Sequence, residues 1–204
     1  MNRRTFFLLG LLTLIGFSSI GGLVIEQFQD VRFFSLFQKA TPWYEQIGIG
    51  LLYGVITALI GWYIVNMTFL ANTRTFFARL IQGLNLSVPD ILFISFCAGA
   101  GEEILFRGAI QPYLGIWVTA ILFVAIHGYL NPKNWRISVY GTYMCIVIAG
   151  MGYLSDYFGI TTAIAAHFAI DVVLLYALIK TDIQGIGEAG DETNSEAKEE
   201  AEAE

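Results

Sequence analysis

Six apolar segments constrain this chain more than any other feature. They run over about 5–25, 45–70, 88–113, 116–130, 137–154 and 160–180. An α-helix rises about 1.5 Å per residue, so a run of about 20 apolar residues spans the hydrocarbon core of a bilayer. The 204 residues are 56% hydrophobic and 14% charged, with a mean hydropathy of +0.63. That is too apolar for a soluble domain. The expected fold is all-α, a polytopic transmembrane bundle of about six membrane helices. The fourth segment, with 15 residues, is short for a full crossing. The first opens Met1-Asn2-Arg3-Arg4, as a signal peptide would. It lacks a clean small-x-small cleavage site, and its apolar run exceeds the usual ~7–15 residues. It therefore reads as a retained helix.

The placement of Lys and Arg sets the expected orientation. With the N-terminus in the cytoplasm, inner loops and ends carry Arg3, Arg4, Arg74, Arg79, Lys133, Arg136, Lys180 and Lys198. The outer side carries Arg32 and Lys39. Eight against two implies an even number of crossings and two cytoplasmic termini. Between the segments, 26–44 and Arg74 to Leu80 mix aromatic and charged residues as interfacial helices do. The net charge of −6 misleads as a global figure. Glu188 to Glu204 holds eight acids against Lys198 and few apolar side chains, so it is expected to be a disordered acidic tail. The expected organisation is N-terminal helices and interfacial segments over 1–85, a catalytic core over 86–182, and the tail over 183–204.

Several function classes have no support. There is no Gly-rich phosphate loop, CxxC pair or HExxH motif, and no basic run that suits nucleic acid. Cys97 and Cys145 lie in apolar segments and read as small buried hydrophobes.

The chemistry-bearing residues lie inside the membrane segments. A charge in the hydrocarbon core costs at least ~2.5–3.5 kcal/mol on insertion scales, so charges persist there where they pair, face the bundle interior or act. Glu103 and Arg107 are spaced i, i+4 and can neutralise one another. Glu102 lies about 100° further round the helix, with no basic residue one turn away. It is either a general base or a protonated structural acid. If the chain turns at Leu114-Gly115, residue i lies level with 229 − i, and Glu102 faces the depth of His127. Each is then roughly 18 Å from the turn. Phe123, one turn before His127, is placed to pack beside its ring. The last segment carries His167 and Asp171, again i, i+4, at a depth of roughly 10–16 Å. Its Ala163, Ala165, Ala166 and Ala169 suit close helix packing. Each pair also has a purely structural reading; shared depth is what joins them.

Three motifs carry a family resemblance. Gly101-Glu102-Glu103-Ile104-Leu105-Phe106-Arg107-Gly108 resembles the EExxxR motif of the CPBP family. These are CAAX-processing and bacteriocin-processing intramembrane proteases, also known as abortive-infection proteins. Phe123 to His127 resembles its FxxxH motif, and His167 to Asp171 its HxxxN/D motif. Asp stands here where the eukaryotic-type CAAX prenyl proteases usually have Asn. The resemblance implies peptide-bond hydrolysis in the membrane, with lipid and a peptide or membrane-protein substrate as partners. It assigns Glu102 and His127 to activating water, His167 and Asp171 to stabilising the oxyanion, and Glu103–Arg107 to orienting the site. An ionised Asp171 cannot donate a hydrogen bond, so it would act on the tautomer of His167 or donate when protonated. The family is often labelled metalloendopeptidase. Two histidines and a glutamate could hold zinc, and a metal-free, glutamate-based mechanism uses the same residues. A non-proteolytic membrane scaffold of the same fold is the alternative. A proton-coupled transporter would also bury Glu and His, but no internal repeat is visible.

Overall fold

The computed structural model describes residues 2–182; the acidic tail expected beyond them lies outside the described residues. The described chain is helical, without a strand. Its helices are α1 (Arg3–Phe28), α2 (Trp43–Val65), α3 (Ala71–Gln82), α4 (Val88–Glu103), α5 (Gln111–Ile126), α6 (Trp135–Phe158) and α7 (Ile160–Lys180). Five helical runs are long and apolar enough to cross a bilayer, and α4 and α5 share one of them, Val88–Ile126. The protein is an integral, multi-pass membrane protein. The expected interfacial stretches are a short 3₁₀ turn, Phe33–Phe37, and the amphipathic α3, whose Ala78 and Ile81 are buried.

The run Val88–Ile126 is broken at Gly115, whose φ of 72° and ψ of 170° are not helical. The expected turn between the third and fourth segments is therefore present. Only eleven residues of α5 follow it, or about 17 Å of helix, too short to cross a bilayer core. Backbone groups cannot be left unpaired inside a membrane, and a Schellman cap closes the end. The amide of Gly128 (φ 78°) donates to Ala125 O at 2.9 Å, and that of Tyr129 to Val124 O at 3.2 Å.

A second irregularity lies upstream. A wide π-helical turn, Ile104–Ile110, joins α4 to α5 and holds Arg107. Pro112 follows it and has no N–H to give to the preceding turn. Gln29, just past α1, donates its side-chain amide to Gly108 O at 3.0 Å and to Ala109 O at 3.3 Å. At the far end of the bundle Gln82 of α3 does the same for the last turn of α7, reaching Leu178 O at 3.0 Å and Thr181 O at 2.8 Å.

The small residues of α7 meet a matching stripe on α2. A Cβ at Gly50 or Gly54 would run into the carbonyl oxygens of Thr162 and Ala166 and lie 2.7 Å from the Cβ of Ala165 or Ala169. In lipid, association of helices rests on such close packing. It brings α7 into the middle of the molecule, against α2, α4 and α6. The apolar core gathers there: Phe106, Phe123, Val147, Ile148, Met151, Ala166 and Ile170 pack together.

Candidate active site

The six polar residues singled out in the sequence meet at this core. Glu103 and Arg107 have side chains with no solvent exposure, and the Arg107 Nε donates to Glu103 Oε2 at 3.0 Å. Arg107 also donates through Nη2 to Ile148 O on α6 at 3.2 Å. The other Glu103 oxygen, Oε1, lies 2.9 Å from Nδ1 of His167 on α7. One carboxylate thus ties α4, the π turn and α7, and the guanidinium extends the tie to α6. Two cationic or proton-bearing partners on one buried anion replace the hydration it lost.

Glu102 is held differently. Its Oε2 lies 3.5 Å from Nε2 of His127, and its side chain keeps 13% exposure. That oxygen has no hydrogen-bond partner among the described residues. His127 is fixed from behind: Nδ1 lies 2.7 Å from Phe123 O. A carbonyl only accepts, so Nδ1 carries a proton, and Nε2 is the ring nitrogen that faces Glu102. His167 Nε2 faces Asp171 Oδ2 at 3.7 Å.

Two roles stand open for Asp171 from the sequence: acting on the tautomer of His167, or donating when protonated. The first falls to Glu103, whose oxygen is the nearer acceptor at 2.9 Å and takes Nδ1–H. Asp171, spaced i, i+4, faces the other nitrogen from beyond hydrogen-bond range.

Phe123 organises the cluster. Its ring stacks on His127 at 4.4 Å between centroids and meets His167 edge-on at 5.8 Å and Phe106 at 4.9 Å. The Arg107 guanidinium carbon lies 5.9 Å from the same ring centroid. The packing of Phe123 beside the imidazole was legible from the spacing Phe123 to His127. Tyr129 was not singled out in the sequence. Its ring lies parallel to His127 at 6.4 Å. The signal that could have found it is the glycine after a short apolar helix, a C-cap that fixes the two flanking residues.

A cavity of about 450 Å³ lies beside the cluster. Leu9 of α1, Val65 of α2, Phe77 and Ile81 of α3, and Leu174 and Leu178 of α7 make most of its wall apolar. Asp171, Tyr129 and Ala98, one turn before Glu102, bring the polar cluster to it. A large apolar pocket with a few convergent polar groups is the usual form of a ligand site. The donor set does not fit a metal as arranged. Among the described residues no three His, Cys, Asp or Glu side chains are grouped to hold an ion; Nδ1 of each histidine is engaged by the protein, which leaves Nε2 as the nitrogen facing Glu102 or Asp171.

Fold and site together define a multi-pass membrane protein with a Glu/His cluster inside its helix bundle, beside an apolar cavity. Residues 83–173 match the family model described as "Type II CAAX prenyl endopeptidase Rce1-like". The CPBP resemblance read from the three motifs is thereby borne out over that segment. The chain is also similar to "Uncharacterized protein YpbD" of Bacillus subtilis (strain 168), at 32% identity over 89 residues. That match covers 43% of this chain and 44% of the relative, so it spans less than half of either. No solved structure matches.

Proposed function

We propose that this protein is an intramembrane endopeptidase that cuts a peptide bond in a membrane-associated or lipidated protein. The observation that carries the reading is Glu102 Oε2: a carboxylate oxygen without a hydrogen-bond partner, 3.5 Å from an imidazole nitrogen of fixed tautomer. Amide hydrolysis needs a base for water, donors for the developing oxyanion, and a proton for the leaving amine. Glu102 takes a proton from a water that also bonds His127 Nε2. The resulting hydroxide attacks the carbonyl carbon, and the C–N bond then breaks as Glu102 returns the proton to the departing nitrogen. His167 donates from Nε2 as an imidazolium, with Asp171 and Glu103 balancing its charge. Glu103 and Arg107 hold the helices that carry these groups, within a catalytic core over 86–182. No step is routed through a metal.

The apolar cavity supports a substrate whose own segment is apolar. The inside excess of Lys and Arg supports cytoplasmic termini. The test compares the membrane peptidome of cells carrying the wild-type chain with that of cells carrying Glu102→Gln at matched abundance. Peptide fragments lost only in the mutant support the protease and identify its substrate. An unchanged peptidome, with full rescue of a deletion phenotype by the mutant, sinks the protease and favours the scaffold.

A further inference from the structure

Most of the polar N–H groups around the cluster are already committed. Nδ1–H of His127 is given to Phe123 O, and Nδ1–H of His167 to Glu103. Arg107 spends Nε on Glu103 and Nη2 on Ile148 O. Its Nη1 has no partner among the described residues but is buried, and Arg107 does not line the cavity. Two of the nearby phenols sort the same way: Tyr53 donates to Val147 O and Tyr143 to Thr57 O. Tyr140 also lines the cavity, but its ring meets those of Tyr129 and Tyr143 rather than a histidine, and its hydroxyl lies near Gly61 of α2.

Tyr129 differs from Tyr53 and Tyr143 in its unspent hydroxyl and from Tyr140 in lying against a histidine of the candidate site. It lines the cavity with Asp171, and its ring lies parallel to the His127 ring. Its hydroxyl is given to no acceptor among the described residues. The Schellman cap at Gly128 holds its backbone, and Tyr140 braces its ring edge-on at 5.5 Å. A braced phenol with an unspent O–H beside a carbonyl-attacking site is placed to donate to an oxyanion. In the proposed reaction His167 supplies one such donor, and two are the common minimum.

We propose that Tyr129 is a catalytic residue whose phenol donates the second hydrogen bond to the tetrahedral oxyanion; this rests on the endopeptidase reading above. The proton stays on the phenol throughout, and no bond of Tyr129 breaks. The bond forms only as charge develops on the carbonyl oxygen, so it lowers the barrier without tightening substrate binding.

The test uses the full-length protein in liposomes and a fluorogenic S-farnesylated peptide carrying fluorophore and quencher across the bond. Wild type, Glu102→Gln, Tyr129→Phe, and 4-aminophenylalanine at position 129 are compared. Tyr129→Phe is expected to lower kcat by about 100-fold with KM nearly unchanged. It should weaken a phosphinate analogue of the peptide by a similar factor and leave a ketomethylene analogue alone. The amino variant, which restores a donor, should recover part of the rate, and it keeps the test decisive should Tyr129→Phe fold poorly. A Tyr129→Phe protein with wild-type kcat, or one altered in KM alone, overturns the inference while cleavage lost in Glu102→Gln leaves the protease standing. No cleavage by wild type overturns both.

Discussion

Glu102 and Glu103 are chemically identical neighbours with opposite situations. Glu103 is enclosed, with Arg107 on one oxygen and His167 on the other. Glu102 leaves an oxygen without a hydrogen bond and keeps some exposure. Removing one partner of a buried pair strands the other charge, at a cost of about 3–5 kcal/mol. Glu103→Ala should therefore lower the unfolding temperature in detergent markedly and take activity with it. Glu102→Gln should cost about 1 kcal/mol or less and still abolish cleavage. Thermal unfolding and the cleavage assay, run on both variants, read this directly. A stable, inactive Glu103→Ala beside an unstable Glu102→Gln would reverse the roles assigned here.

At the scale of elements, the short α5 decides where the chemistry can sit. It stops short of a full crossing because Gly115 breaks the helix early and Gly128 caps it late. Gly115 and Gly128 have φ of 72° and 78°, and a Cβ at either would meet nothing within 4 Å. Alanine clashes at neither position. At Gly128, the left-handed residue of the Schellman cap, it costs roughly 1–2 kcal/mol; at Gly115, whose ψ of 170° lies in a region kept almost wholly for glycine, it should cost more. The activities should run the other way, because Gly128 sits between His127 and Tyr129 while Gly115 is a helix away. We expect Gly128→Ala to lose most of its kcat and Gly115→Ala to keep it. Equal activity in the two variants would mean that the cap does not position the site. A further expectation concerns α2 and α7. Gly54→Leu should force them apart and destabilise the fold, since the carbonyl of Ala166 and the Cβ of Ala169 occupy the space its side chain needs. Loss of helical circular dichroism at lower temperature measures it.

Across the whole molecule, the cluster and the cavity draw on different parts of the chain. The six polar residues fall within the segment that matches the Rce1-like family, 83–173. Much of the cavity wall comes from α1, α2 and α3, which precede it. Filling the cavity from that side should therefore change what is bound and leave the chemistry intact. Ile81→Trp is expected to raise KM several-fold with kcat little changed, as steady-state cleavage would show. Excess chelator should leave the rate unaltered; a loss restored by added zinc would return the metal to the mechanism.

Much of this was legible along the chain because membrane insertion restricts it so strongly. Segments of helical length can only lie across the bilayer, so counting residues from a turn gives depth. Depth alone brought Glu102 level with His127, and with the pair His167 and Asp171. The i, i+4 spacing gave Glu103–Arg107 without any fold. What counting cannot give is the azimuth of one helix about another. Azimuth is set by packing between distant parts of the chain, here Gly50 and Gly54 of α2 against Ala165 and Ala169 of α7. That packing turns His167 toward Glu103, which takes the Nδ1 proton. It also leaves Tyr129 beside His127 with a hydroxyl that no acceptor among the described residues claims. Composition and period determined the class of fold and the depth of the site; only the tertiary contacts decided which nitrogen each acid faces, because those contacts join residues that no local spacing relates.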